Sequence, residues 1–534
     1  MVKAIKGWIT EQFIFQKLNN PLGYLLMATI TFGLAWVLSS LDMKFSILLL
    51  GGILGIPALG ACFLNFRFGL TLILIIAFLV ELARKYTGAP LGTALDGLNY
   101  VMFFGLIVML TKDRNFRYIK HPISVLIAIW IIYNFIQVLN PWALSKLAWL
   151  YTVRSMAGLI LVYFVALYAF NSLKNITFII KVILGLSFLS ALYGLKQEFI
   201  GFTPTELAWL YADEERFQLI FQWSRLRIFS FFSDPTTYGI LMGYMLVLCC
   251  ILFIGPYKLW QKGMLLLGAV LMLACMAYAG SRTPVILIPA GLFFFVLVSF
   301  RKDMILIACI GLVLGTLFML KPNGNPVIYR IQSAFNPETS GDTMEVRFEN
   351  QKFIQPFIHS RPFGAGLGSC GQWGKRFTPD SWLADFPHDS GFVRIAVELG
   401  WIGLILYMIL LFTILRTGLY YYYRVVNPKI KNLYLGLTTV MFILTLASYP
   451  QEAIVLLPTS IVFYIFLAAI IRLKDFDDPL PLSGNDTKET AALQTAQPAV
   501  LMTNMTQREK SVAFQSPRNL RKQQQLGDKG WHKT

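Results

Sequence analysis

Long apolar runs recur along the chain, separated by short polar or charged breaks. A helix needs about 20 mostly apolar residues to cross a bilayer. Fourteen runs fit that description, near 21–41, 45–64, 68–82, 97–111, 122–139, 154–171, 176–198, 236–255, 263–279, 284–300, 304–320, 390–414, 432–449 and 454–472. The third and fourth are short, so the pattern predicts 12–14 transmembrane helices. Two long segments, 199–235 and 321–389, interrupt the ladder. The expected fold class is all-α, a polytopic integral membrane helical bundle with a large extracytoplasmic loop. Its expected parts are an N-terminus over 1–20, scaffold helices over 21–198, an outer loop over 199–235, helices carrying the Arg282 turn over 236–320, a large outer loop over 321–389, helices over 390–472 and a cytoplasmic tail over 473–534.

Composition agrees. At 56% hydrophobic and 14% charged residues, no soluble core could absorb the apolar side chains. The first apolar run starts near Pro21 and is long enough to span, so a cleavable signal peptide is not expected. The formal charge of +18 is spread along the chain, which fits attraction to lipid headgroups and topology signals better than nucleic-acid binding. Of six cysteines only Cys370 falls in an outer loop, so neither a disulfide framework nor a metal site is expected. The tail from Leu480 is polar and nearly free of aromatics, which predicts disorder.

Orientation follows from the basic residues of the short loops. With the N-terminus cytoplasmic, the cytoplasmic loops hold fifteen lysines and arginines and the opposite loops five. Both termini are then cytoplasmic and both long segments lie outside.

Candidate chemistry concentrates on that outer side. Segment 199–235 mixes aromatics with charges and is expected to lie on the membrane surface as an amphipathic helix, with Trp209, Tyr211, Phe217, Phe221 and Trp223 at the interface. Arg225 and Arg227 follow, where guanidinium groups could grip phosphate oxygens bidentately or simply snorkel to headgroups. In GSRTP, Arg282 sits at a span entrance with Thr283 as expected N-cap and Pro284 at the first helical position, an arrangement suited to an anion. The run MEVRFENQKFIQPF predicts a helix with Arg347 near Gln351 on one face. A GxGxxG match at Gly366, Gly368 and Gly371 lacks the βαβ context of a dinucleotide site and is read as backbone turns. In PHDSGFVRIAVELGWIGLI, His388 stands just outside a span that Asp389 or Ser390 can cap. Its ordinary pKa of about 6.5 suits a proton acceptor. Arg394 and Glu398, four apart, are expected to form a structural pair.

The segments RLRIFSFFSDPTTYGIL, GSRTP, VRFENQKFIQPFIHSRPFGAGLGS and PHDSGFVRIAVELGWIGL, over about 220–405, resemble the O-antigen ligase and polymerase family of bacterial membrane glycosyltransferases. The resemblance implies a glycan donor on undecaprenyl pyrophosphate, transferred outside the cytoplasmic membrane without nucleotide sugar, metal or other cofactor. It implies lipid A-core or another glycan as acceptor. Carried over by position, Arg282, Arg225 and Arg227 would hold the pyrophosphate, Arg347 would assist and His388 would act as general base. Asp389 departs from the asparagine common in the family and could orient His388 or share its role. A polymerase or a protein O-oligosaccharyltransferase would share these features. A lipid-linked glycan transporter would also need many spans and anion-binding arginines, but transporters usually bind near the midplane between internal repeats, and no repeat is evident here.

Overall fold

The computed structural model describes residues 19–40, 55–87, 92–222, 224–300, 326–335, 337–387 and 390–477, with isolated positions 11, 305, 315 and 324. The expected span at 304–320 (apart from 305 and 315) and the tail beyond 477 lie outside the described residues. Among the described residues the chain is a polytopic all-α membrane protein, with ten helices long and apolar enough to cross a bilayer. The helices are α1 (Pro21–Ser40), α2 (Gly55–Leu64), α3 (Phe66–Thr87), α4 (Gly92–Asp113), α5 (Pro122–Ile136), α6 (Lys146–Val153), α7 (Leu161–Ala169), α8 (Leu173–Phe199), α9 (Pro204–Tyr211) and α10 (Glu214–Ile220). They continue as α11 (Pro235–Ile254), α12 (Leu259–Ala279), α13 (Arg282–Ser299), α14 (Pro326–Ser333), α15 (Pro337–Ser360), α16 (Gly371–Phe377), α17 (Trp382–Asp385), α18 (Gly391–Arg424), α19 (Pro428–Ala447) and α20 (Thr459–Arg472).

The two runs that looked short are full-length helices of 22 residues each, α3 and α4. Polar contacts absorb the charges that shorten the apolar count. Glu81 pairs with Arg84 at 2.6 Å, while the buried Lys85 ammonium lies 4.6 Å from the Trp209 ring centre and 4.1 Å from that of Phe229. The span expected near 154–171 also starts earlier than its apolar run. It covers Lys146–Ala169, broken by a π-helical turn at Arg154–Gly158 where Arg154 meets Asp96 at 3.0 Å.

Segment 199–235 does not form the expected single amphipathic helix. Thr203 and Glu206 form a reciprocal capping box that starts α9, and Asp213 caps α10. A two-stranded hairpin follows, β1 (Phe221–Gln222) and β2 (Arg225–Leu226), in register Phe221↔Leu226 and Gln222↔Arg225. Two strong caps ten residues apart divide the segment, and it closes on its own small core of Leu210, Ile220 and Phe229. Phe221 therefore sits on a strand, and Trp223 lies outside the described residues.

The centre of the bundle is α11, buried nearly all round and packed against α12, α13 and α19. Asn432 at the start of α19 donates to the Ile251 carbonyl at the end of α11, 2.8 Å away. These two helices thus run in opposite directions. The start of α11, the end of α12, the start of α13 and the end of α19 share one end of the bundle, here called the loop end. The opposite, basic end gathers Arg117, Arg416, Arg424, Lys429, Arg472 and Lys474.

Candidate active site

The turn between α12 and α13 is the centre of an arginine cluster. Helix α12 ends on Gly280 in the left-handed conformation, φ 60°. Ser281 is then extended, and α13 begins at Arg282. The cap is therefore Ser281 rather than Thr283, because the left-handed glycine lets the chain reverse two residues earlier. Pro284 still lies in the first turn, where its missing N–H leaves no intrahelical bond unmade.

Two guanidinium groups close on this turn from different segments. Arg227 Nε donates to the Ala279 carbonyl at 2.8 Å, and its Nη1 donates to Leu219 O at 3.3 Å and Gln222 Oε1 at 3.4 Å. Arg330, on α14, donates from Nε to the Gly280 carbonyl and from Nη2 to Gln222 Oε1 at 2.5 Å. A Cβ at position 280 would stand 3.2 Å from Arg330 Cδ and 3.6 Å from Arg227 Nε. Glycine is thus required here by both φ and crowding. Arg225 stands at the edge of the group, ion-paired with Glu198 and stacked 5.6 Å over the Tyr278 ring.

The electrostatics favour an anion. Burial, followed by the neighbouring Arg330 charge, lowers the Arg227 pKa to about 10. Burial and then Arg282 lower that of Arg330 to about 10. Both remain protonated at neutral pH, and neither has a carboxylate among its hydrogen-bond partners in the described residues. Like charges held together at a helix amino terminus gain from a bound anion what they lose by repulsion.

A cleft of about 460 Å³ of empty space opens between α15, the start of α18 and the residues after α19. Arg347 and Gln351 line it together, as their spacing predicted, with Pro387, Ser390, Val393 and Tyr449. His388 and Asp389 lie outside the described residues. Their chain neighbours on both sides, Pro387 and Ser390, line this cleft. Ser390 is the cap of α18, its Oγ accepting from Val393 N at 3.5 Å.

Below the cleft the membrane helix is broken. Gly400, at φ 72° and ψ 179°, separates residues 391–399 from the rest of α18. The glycine-rich loop fills the gap. Gly364, Gly366, Gly368 and Gly371 all have positive φ, and the loop donates from Ala365 N to Val397 O at 2.8 Å and from Gly366 N to Glu398 O at 3.0 Å. Tyr133 donates its hydroxyl to Leu399 O at 2.7 Å. The GxGxxG match is thus a set of backbone turns, as expected, with a structural task. Arg394 bridges Glu398, at 3.2 Å, and Glu452 from the loop after α19. The pair foreseen from sequence is a triad that fixes residues 391–399 to the neighbouring hairpin.

Arg225, Arg227 and Arg282 are thus brought to one turn, and Arg347 to the cleft that Pro387 and Ser390 line. Arg330 and its bridging partner Gln222 had not been singled out. The usable signal was an arginine four residues after Pro326 in the short run PVIYRIQS, whose bearing on the GSRTP turn requires the tertiary fold.

A many-span membrane protein with an arginine cluster at one end of its bundle is the class that fold and site define. Within it, a family model described as O-antigen ligase matches residues 267–408. This segment runs from within α12 to within α18 and contains Arg282, Arg330, Arg347 and Gly400, so it is over these helices that the chain is similar to O-antigen ligases. Arg225 and Arg227 precede the matched segment. A search of curated proteins gave no match.

Proposed function

We propose that the protein transfers a glycan from undecaprenyl pyrophosphate to an acceptor hydroxyl at the periplasmic face of the bacterial inner membrane. The observation that carries this reading is the cluster of Arg227, Arg282 and Arg330 around Gly280, mostly within the segment matched to O-antigen ligases. Fixed guanidinium groups match a pyrophosphate, whose oxygens they can bind with charge-assisted hydrogen bonds. The basic end, rich in lysine and arginine, is then cytoplasmic by the charge rule, which turns the loop end toward the periplasm.

In this reading Arg227, Arg282 and Arg330 hold the pyrophosphate, with Arg225 at the edge and Arg347 on the cleft side. His388 is the general base and Asp389 orients it or shares its work. The acceptor oxygen forms a bond to the anomeric carbon as the bond from that carbon to the phosphate oxygen breaks. The acceptor proton passes to His388, and the configuration inverts. The charge leaving on undecaprenyl pyrophosphate is stabilised by the arginines, and such preorganised stabilisation supplies most of the rate enhancement in many enzymes. A positioned base adds typically about 10²–10⁴-fold.

Reconstitution with an undecaprenyl-pyrophosphate glycan tests this. His388→Ala and Arg282→Ala should each abolish most transfer, and normal transfer by both would sink the site assignment. Supplying lipid A-core, a second lipid-linked glycan or a protein as acceptor separates ligase from polymerase and from protein glycosylation. Movement of the donor across the bilayer without covalent transfer would support a transporter instead.

A further inference from the structure

A second cavity lies at the basic end, between the start of α5, the last turns of α18 and the segment after α20. It encloses about 1100 Å³ of space including its open mouth. Arg117, Lys120, Arg416 and Lys474 reach it from three parts of the chain, with His121 and Tyr420. Among the described residues Asp475 and Asp477 lie close, and both are engaged. Asp475 accepts from Arg472 at 2.7 Å, Tyr118 at 2.9 Å and Arg117 at 3.5 Å, while Asp477 accepts the backbone N–H groups of Val426 and Asn427. The lining is therefore strongly cationic, and the amino terminus of α5 at Pro122 adds its dipole. His121 adds no charge at neutral pH: burial, with Lys474 nearby, lowers its pKa to about 4.

Two of the helices that bound the cavity also carry exposed apolar side chains further along their length. Helices α5 and α18 pack together, with the Trp130 and Tyr407 rings 5.2 Å apart. Val125, Ile129 and Ile132 of α5 and Met408, Ile409 and Phe412 of α18 are exposed, Phe412 by 68%. Phe412 stands one turn from Arg416 on α18. A cationic cavity on helices whose neighbouring turns expose apolar side chains matches a molecule with a phosphate at one end and acyl chains at the other. A soluble phosphate would use only the first half.

We propose that this cavity binds the headgroup of an anionic diacyl phospholipid from the leaflet at the basic end, with the acyl chains laid along α5 and α18. The site lies at the end of the bundle opposite the arginine cluster and does not depend on the transfer reaction. It is tested on the full-length purified protein by titration with phosphatidylglycerol and phosphatidylcholine of the same chain composition, read by native mass spectrometry. Phosphatidylglycerol should bind preferentially. Lys120→Gln with Arg416→Gln should cut that preference about 25-fold, about fivefold per basic residue, whereas Lys120→Arg with Arg416→Lys should keep it. Should the neutral double variant fail to fold, the wild-type protein still decides, since its preference must fall steeply as salt rises from about 0.05 to 0.5 M. Equal binding of the two lipids by the wild type, or an undiminished preference in a folded neutral variant, would overturn the proposal. Displacement of the lipid by inorganic pyrophosphate at an equal concentration would overturn the assignment to a lipid and leave a soluble anion.

Discussion

Gly400→Ala is the sharpest test of how the site is held. A Cβ at this position would lie 2.0 Å from Pro362 O, 2.4 Å from Pro362 C and 2.6 Å from Gly364 N. These are backbone atoms of a loop pinned on both sides, so they cannot swing away as a side-chain end would. The backbone at φ 72° and ψ 179° is in a region essentially restricted to glycine, at a cost of about 1–3 kcal/mol for another residue. Relief requires the loop to withdraw, which breaks the bonds from Ala365 N to Val397 O and from Gly366 N to Glu398 O, each worth about 0.5–1.5 kcal/mol net. The sum is roughly 2–6 kcal/mol, enough to lower the apparent melting temperature by about 2–5 °C in a protein of this size. Thermal unfolding in detergent, followed by intrinsic fluorescence, measures it. Transfer should fall further than stability does, because residues 391–399 directly follow the Ser390 cap and carry Arg394 and Glu398 beside the cleft. Gly263→Ala in α12, where a Cβ meets nothing within 4 Å, is the control and should be neutral or slightly stabilising. A Gly400→Ala protein that melts and transfers like the wild type would falsify the account of the break.

Arg330→Gln removes a charge that sits beside Arg227 and Arg282 and keeps a donor near the Gly280 carbonyl. Losing one charge-assisted contact to the donor, about 1.5–3 kcal/mol, should raise KM for the lipid-linked donor about 10-fold or more in a reconstituted transfer assay, with kcat less affected; an unchanged KM would remove Arg330 from the site. Cys370 is fully buried and burial pushes its thiol up to about 12, so very little thiolate exists at neutral pH. A membrane-impermeant maleimide should leave it unlabelled in intact protein and label it after denaturation, and prompt labelling of native protein would show that the loop opens.

The ladder of spans was legible because apolar length is a signal carried along the chain itself. What blurred it were charges whose partners are distant, such as Lys85, which donates to the Phe232 carbonyl. The same distinction divides the site. Arg282 at a span entrance, Arg347 with Gln351 and the Arg394–Glu398 pair are local patterns, and each is where spacing put it. Arg330 meets Gly280 across 50 residues, and Glu452 meets Arg394 across 58. Neither contact leaves a mark in a window of sequence. The segment after α8 was misread for another reason: its two caps, at Thr203 and Asp213, were present in the sequence and outweigh the amphipathic pattern that suggested one helix.

The break at Gly400 also bears on the choice between enzyme and transporter. Discontinuous membrane helices are where many transporters bind, because the freed carbonyls and amides become ligands. GWIGL reads as an unbroken apolar run, so the discontinuity was not foreseen, and taken alone it favours transport. Its freed groups are already used, however. The carbonyls of Val397, Glu398 and Leu399 accept from Ala365, Gly366 and Tyr133 respectively. Among the described residues these three carbonyls are thus engaged, and the glycine loop that occupies the break cannot be displaced without uncovering them. The break thus acts as a fixed corner. It sets residues 391–399 at an angle the rest of α18 does not share, with the Arg394 triad locking them beside the cleft. A transporter needs such an element to move between two states, whereas a transferase needs its base held still against the acceptor. The hydrogen bonds across the break fit the second requirement.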